Sequence, residues 1–136
     1  MPKRNSLLLG GALAVCGAAA LFMTSIPASG HHAFGAEFDA NAPIRLQGPI
    51  VKLEWVNPHT WIHLEVTKDD GSTEVWAVEG GTPNVLLRRG LRRDCLTPGT
   101  EIVVDGYQAK DHSLARANGR DITFGCNNNT CLDCAV

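Results

Sequence analysis

The chain has 136 residues, room for one domain and a short leader, and its 12 Lys and Arg against 14 Asp and Glu give a net charge of −2. A slightly acidic chain is not built to neutralise phosphates, so nucleic acid is not an expected partner. The sequence carries no G-x-S-x-G elbow, no P-loop and no H-E-x-x-H motif, which removes the signatures of several hydrolase and nucleotide-dependent classes.

The first thirty residues read as a secretory signal. "MPKRNS" supplies Lys3 and Arg4, "LLLGGALAVCGAAALFM" is an apolar run, and "TSIPASG" is a small-residue exit. Cleavage after Gly30 puts Ala28 and Gly30 at the two small positions, whereas cleavage after Ala28 puts Ile26 at the outer one. Left uncleaved, the run nearly suffices to span a bilayer, and only then is a membrane an expected partner. Cys16 makes a poor lipoprotein box because Val15 before it is too large. The expected location is periplasmic or secreted. Removing residues 1–30 takes away Lys3 and Arg4 and leaves a net charge of −4.

Residues 31–43 begin "HHAFGAEFD" and are expected to form an extended, polar lead-in. From Ile44 the pattern becomes short strands punctuated by turn residues. In "IRLQGPIVKLEWV", Val51, Leu53 and Trp55 fall on one face, with Lys52 and Glu54 on the other. "NPH" turns the chain, and in "TWIHLEVT" Ile62, Leu64 and Val66 oppose Trp61, His63 and Glu65. "KDDGS" is a hairpin loop before a third strand, "TEVWAVEG". A short helix follows in "GGTPNVLLRRGL", with Thr82 as N-cap, Pro83 at the first helical position and Gly90 at the C-terminal cap. "TPGTEIVVDGYQAK" and "ANGRDITFG" supply two further strands.

The order β-β-β-α-β-β is that of an all-β domain with one short helix, a small five-stranded OB-like barrel over residues 44–125. Its helix is expected to plug one end with Val85, Leu86 and Leu87. A small β-sandwich is the alternative.

Residues 126–136 form a tail, "CNNNTCLDCAV". With the leader's cysteine set aside, Cys95, Cys126, Cys131 and Cys134 remain, and an even number in an oxidising compartment favours two disulfides with three connectivities. The C-x-x-C of Cys131 and Cys134 is the rival, a soft metal site, although one such pair is a weak signal. The arginines Arg88, Arg89, Arg92 and Arg93 read as a solvated helix end.

The residues that could carry chemistry cluster in two stretches. "EWVNPHTWIH" places Trp61 on the polar face of its strand, near Glu54, Asn57, His59 and His63. OB-folds bind ligands on this face, often by stacking on an aromatic. Alternatively the N-terminal segment covers Trp61. His59 and His63 lie about 13 Å apart along an extended strand, too far to share a metal unless the chain bends. The second stretch is His31-His32. Cleavage after Gly30 would leave His31 with an α-amine and a ring nitrogen for one metal. A third nitrogen from His32, His59, His63 or His112 makes a set that suits Cu(II), with zinc second. Cleavage after Ala28 would instead put His31 third from the amine, which also suits Cu(II). Flexible polar histidines at a signal exit are the plain alternative.

Taken together, "HHAFGAEFD", "EWVNPHTWIHLEV", "WAVEGGTPNVLLRRG", "PGTEIVVDGYQAKD" and "ANGRDITF" resemble an uncharacterised family of small exported bacterial proteins, a domain of unknown function. The resemblance runs from His31 to about Phe124. Its most specific pieces are the His-His start and the Asn57-Pro58-His59 turn. It implies a periplasmic or extracellular location and a small β-rich domain, but no activity. The cysteine-bearing tail departs from the family's cysteine-free ending.

The function expected from all of this is an exported, non-enzymatic binding domain. It would hold copper, or less readily zinc, through His31 with His32, His59 or His63. Trp61, Asn57 and Glu54 would take part in a contact surface for a small ligand or an unknown periplasmic protein. The rival is an accessory subunit of a periplasmic enzyme complex, docking through Trp61 and Trp76.

Overall fold

A computed structural model describes residues 34–125. A one-turn helix, α1 (Phe34–Glu37), leads directly into β1 (Phe38–Glu54), followed by β2 (Trp61–Thr67), β3 (Thr73–Glu79), α2 (Pro83–Arg88), a 3-10 turn (Arg93–Leu96), β4 (Glu101–Ala109) and β5 (Arg116–Phe124). The five strands close into a barrel in the order β1-β2-β3-β5-β4, with β4 returning to β1. All pairs are antiparallel except β3 with β5. This is the OB-like arrangement expected from the strand order.

β1 is long because it serves two neighbours. Its first part pairs with β4 as far as Pro49, and from Ile50 it pairs with β2. Gly48 sits where the strand coils from one to the other, so close to β2 that a Cβ there would overlap the Glu65 carbonyl. A register shift follows between Ile50 and Lys52. That bulge corrects one expectation: Val51 is turned out and 41% exposed, while Ile50 takes the inward position. The strand also begins earlier than expected, because Phe38 packs inward at 3% exposure and carries "FDANAP" with it.

Alternation fills the interior elsewhere. Ile62 and Leu64 of β2, Val78 of β3, Ile102 and Val104 of β4 and Ala117 of β5 point into one core with Leu46 and Ile50. Trp76 faces Leu64 across β2 and β3 and packs against this core, so it belongs to the inner layer rather than to a docking face.

α2 is capped as its sequence specifies. Thr82 Oγ1 accepts from the Val85 amide at 3.3 Å, Pro83 opens the helix, and Gly90 takes a positive φ of 90°. The Leu91 amide then donates to the Leu86 carbonyl at 2.9 Å. Of the three expected plug residues only Leu86 is inward. Val85 and Leu87 are turned out, and the barrel end is filled instead by Leu91 and by Cys95 and Leu96 of the 3-10 turn, which the sequence reading missed. A helix this short has only one inward face, and the tight return to Leu91 supplies the second apolar side chain. Among the described residues no helix is long and apolar enough to cross a membrane.

Candidate functional site

The outer face of β2 carries Trp61 and His63 because Thr60, Ile62 and Leu64, each 0% exposed, take the inward positions. Opposite Trp61 stand Glu54 on β1 and Glu79 on β3. Two histidines and two carboxylates therefore share this surface, and each histidine meets a different carboxylate.

His59 follows a cis Asn57–Pro58 bond in the turn before β2. Its Nδ1 lies 3.0 Å from Glu79 Oε1, and the Glu79 side chain is only 11% exposed. A carboxylate this close to Nδ1 favours the proton on that nitrogen and puts the ring's lone pair on Nε2.

His63 Nε2 is 2.9 Å from Glu54 Oε2, while Lys52 Nζ donates to Glu54 Oε1 at 2.9 Å. The Lys52 ammonium, then the His63 ring, hold the Glu54 carboxyl below its usual range. His63 is thus tied into a partly exposed chain on the β1 side, and His59 into a more buried contact on the β3 side.

Arg116, at the start of β5, links the second contact to the N-terminal helix. Its Nη2 donates to Glu37 Oε2 at 2.8 Å and lies 3.8 Å from Glu79 Oε2. Its guanidinium sits 4.7 Å from the Trp61 ring centre and 5.8 Å from that of Phe38. Phe34 stacks on Phe38 and meets Tyr107 edge-on, so α1 is anchored at the same place. Arg116 Nε is buried without a hydrogen-bond partner among the described residues. Trp61 is consequently half-buried beneath an arginine, which answers the question left by its outward position: its face is covered, by Arg116 held through Glu37. The sequence reading missed Arg116 because "ARANGR" lies at the edge of a loop. The signal was its alternation, with Arg116 and Asn118 outward and Ala117 inward.

The remaining candidates are dispersed. Asn57 is exposed in its turn, and His112 lies 3.8 Å from Asp39 at the opposite end of β1 from His63. Cys95 is buried at 2% exposure in the 3-10 turn. His31, His32, Cys126, Cys131 and Cys134 lie outside the described residues. Among the described residues no group of three His, Cys, Asp or Glu side chains could hold a metal, so His59 and His63 do not form one site by themselves.

Comparison with known proteins fixes the family. The sequence model of DUF6152, a family of unknown function, matches residues 19–118. The chain belongs to that family. No curated protein matches this DUF6152 chain in sequence. Among solved structures it is similar to a mitochondrial single-stranded DNA binding protein from S. cerevisiae, Rim1, with 16% identity, a TM-score of 0.44, and 61% of this chain and 92% of that chain covered. A selenomethionine-labelled form of the same protein gives 14% identity and a TM-score of 0.39 over the same shares. These neighbours correct one expectation, the exclusion of nucleic acid as a partner. The exclusion rested on net charge, and net charge does not decide what a single face or end of a domain can bind, because binding reads local charge. The likeness assigns no ligand to the DUF6152 chain.

Proposed function

We propose that this DUF6152 domain is an exported, non-enzymatic binding domain that holds a metal ion, copper ahead of zinc, through His59 and the N-terminal histidines His31 and His32. The observation that supports it is the His59–Glu79 contact at 3.0 Å. A buried carboxylate behind one ring nitrogen orients the other as a ligand, the usual arrangement behind metal-bound histidine. His63 is left out of the proposed set, since its carboxylate, Glu54, is far more exposed than Glu79 and is shared with Lys52.

A nitrogen-rich set of this kind suits Cu(II). Export belongs to the same reading and draws on Lys3, Arg4, the apolar run and the small-residue exit. So does a disulfide from Cys95, which would suit an oxidising compartment.

The test is Cu(II) titration of the processed protein by calorimetry, with electron paramagnetic resonance to count nitrogen donors. The expected result is one site whose affinity falls at least tenfold in both His31→Ala and His59→Ala. Unchanged affinity in His59→Ala, with the protein still folded, would return the Asn57-Pro58-His59 turn to a structural role.

A further inference from the structure

The end of the barrel closed by α2 has a surface that its core does not explain. Leu86 and Leu91 point inward, 6% and 0% exposed, and the chain between them is reversed at Gly90. Leu87 is thereby turned out at 50% exposure, Val85 at 36%, and Arg88 and Arg89 with them. Arg92 and Arg93 follow at once, also exposed. Of the ten Lys and Arg in residues 34–125, four lie in these six positions, whereas the other six share the domain with thirteen Asp and Glu outside this stretch. Arg92 pairs with Asp94 at 3.1 Å. Among the described residues Arg88, Arg89 and Arg93 have no carboxylate partner. The domain is therefore polarised, with a basic end carrying two exposed aliphatic side chains and an acidic remainder.

We propose that this end docks on an anionic lipid surface. Four arginines within two turns are enough to be held by a negative bilayer face, at about fivefold in affinity for each arginine near the surface. The aliphatic pair separates lipid from other polyanions. Leu87 can enter the boundary between headgroups and acyl chains, where apolar area leaves water, but it gains nothing from a phosphate backbone. The acidic remainder is repelled by the same surface, which orients the domain with α2 down. This inference is independent of any metal at His59.

Flotation with vesicles tests it, using the protein recovered from its exported compartment. The readout is the ratio of binding to phosphatidylglycerol–phosphatidylcholine vesicles over phosphatidylcholine alone, so that any contribution from the N-terminal apolar run cancels. The ratio should exceed tenfold at low salt and collapse at 0.5 M NaCl. Arg88→Gln with Arg89→Gln should lower binding to anionic vesicles about 25-fold, and Leu87→Ser should lower it several-fold at fixed salt. All three side chains are exposed, and unchanged melting curves would show that the variants fold. A ratio near one overturns the proposal, as does indifference to the double arginine variant. Tighter binding to a single-stranded oligonucleotide than to vesicles, unaffected by Leu87→Ser, would reassign the surface to nucleic acid.

Discussion

The guanidinium of Arg116 lies over the indole of Trp61 at 4.7 Å, and the ion pair with Glu37 holds it there. An outward tryptophan on an OB-like sheet is thereby partly covered by a cation from the neighbouring strand, itself tied to the chain's entry into the domain.

Arg116→Gln should uncover Trp61. The expected change is greater acrylamide quenching and a red-shifted emission, both absent when the substitution is made in a Trp61→Phe background. Arg116→Lys keeps the charge but loses the planar stack and should reproduce most of the optical change. A cation over a partly buried ring contributes about 0.5–2 kcal/mol, so chemical unfolding should show a loss of that order. An emission spectrum identical to the parent would mean that Arg116 does not rest on Trp61 in solution.

His63→Ala should leave metal affinity within about twofold, because the carboxylate behind its ring, Glu54, is exposed and shared with Lys52. Glu79→Gln should weaken affinity by about 10- to 100-fold, the usual effect of removing a carboxylate behind a ligating histidine. The reverse ranking would place the metal on the β1 side of the sheet and refute the assignment to His59.

Glu54 makes stability pH-dependent in a definite direction. Lys52 and His63 lower its carboxyl from 4.5 in the folded state. The stabilisation is complete above 4.5 and is lost as pH falls through the lower folded value. Urea midpoints measured from pH 6 to pH 2.5 should therefore fall less steeply for Glu54→Gln than for the parent over the acid part of the range. Parallel curves would show that Lys52 and His63 do not hold this carboxylate.

Gly48→Ala should destabilise the domain by about 1–3 kcal/mol through forced backbone displacement, since the new methyl meets the Glu65 carbonyl rather than a movable side chain. Gly35→Ala meets nothing within 4 Å and should be close to neutral. Thermal melts of the two variants side by side check the contrast.

Leu86→Ala should cost about 2–5 kcal/mol, and Leu87→Ala should stay within about 0.5 kcal/mol. The pair tests which leucine closes the barrel. Equal losses would contradict the outward placement of Leu87.

Strand order, the capped helix and the outward position of Trp61 were legible because each has a local signature: alternation in "TWIHLEV", Thr82-Pro83 before "NVLLR", and Gly90 after it. The inward partner of Leu86 was not legible, because Leu91 reaches the core only through the reversal at Gly90, and neither was the bulge that ejects Val51. Arg116 escaped for a related reason. Its partners Glu37, Trp61 and Glu79 lie 79, 55 and 37 residues away in sequence, and the parallel pairing of β3 with β5, together with the start of β1 against the end of β4, brings them together. His59 and Glu79 were each visible as chemistry, but their meeting depends on strand register.

The closure of the barrel has a bearing on how the domain opens. β3 and β5 are joined along Ala77–Arg116, Val78–Ala117 and Glu79–Asn118, whereas β2 and β3 are matched over seven positions. The shortest seam is where local opening would start, and Glu79 and Arg116 stand on its two sides. Whatever engages both sides of that seam also fastens the cylinder shut, so occupancy would be read far from the ligand, as slower amide exchange along two strands.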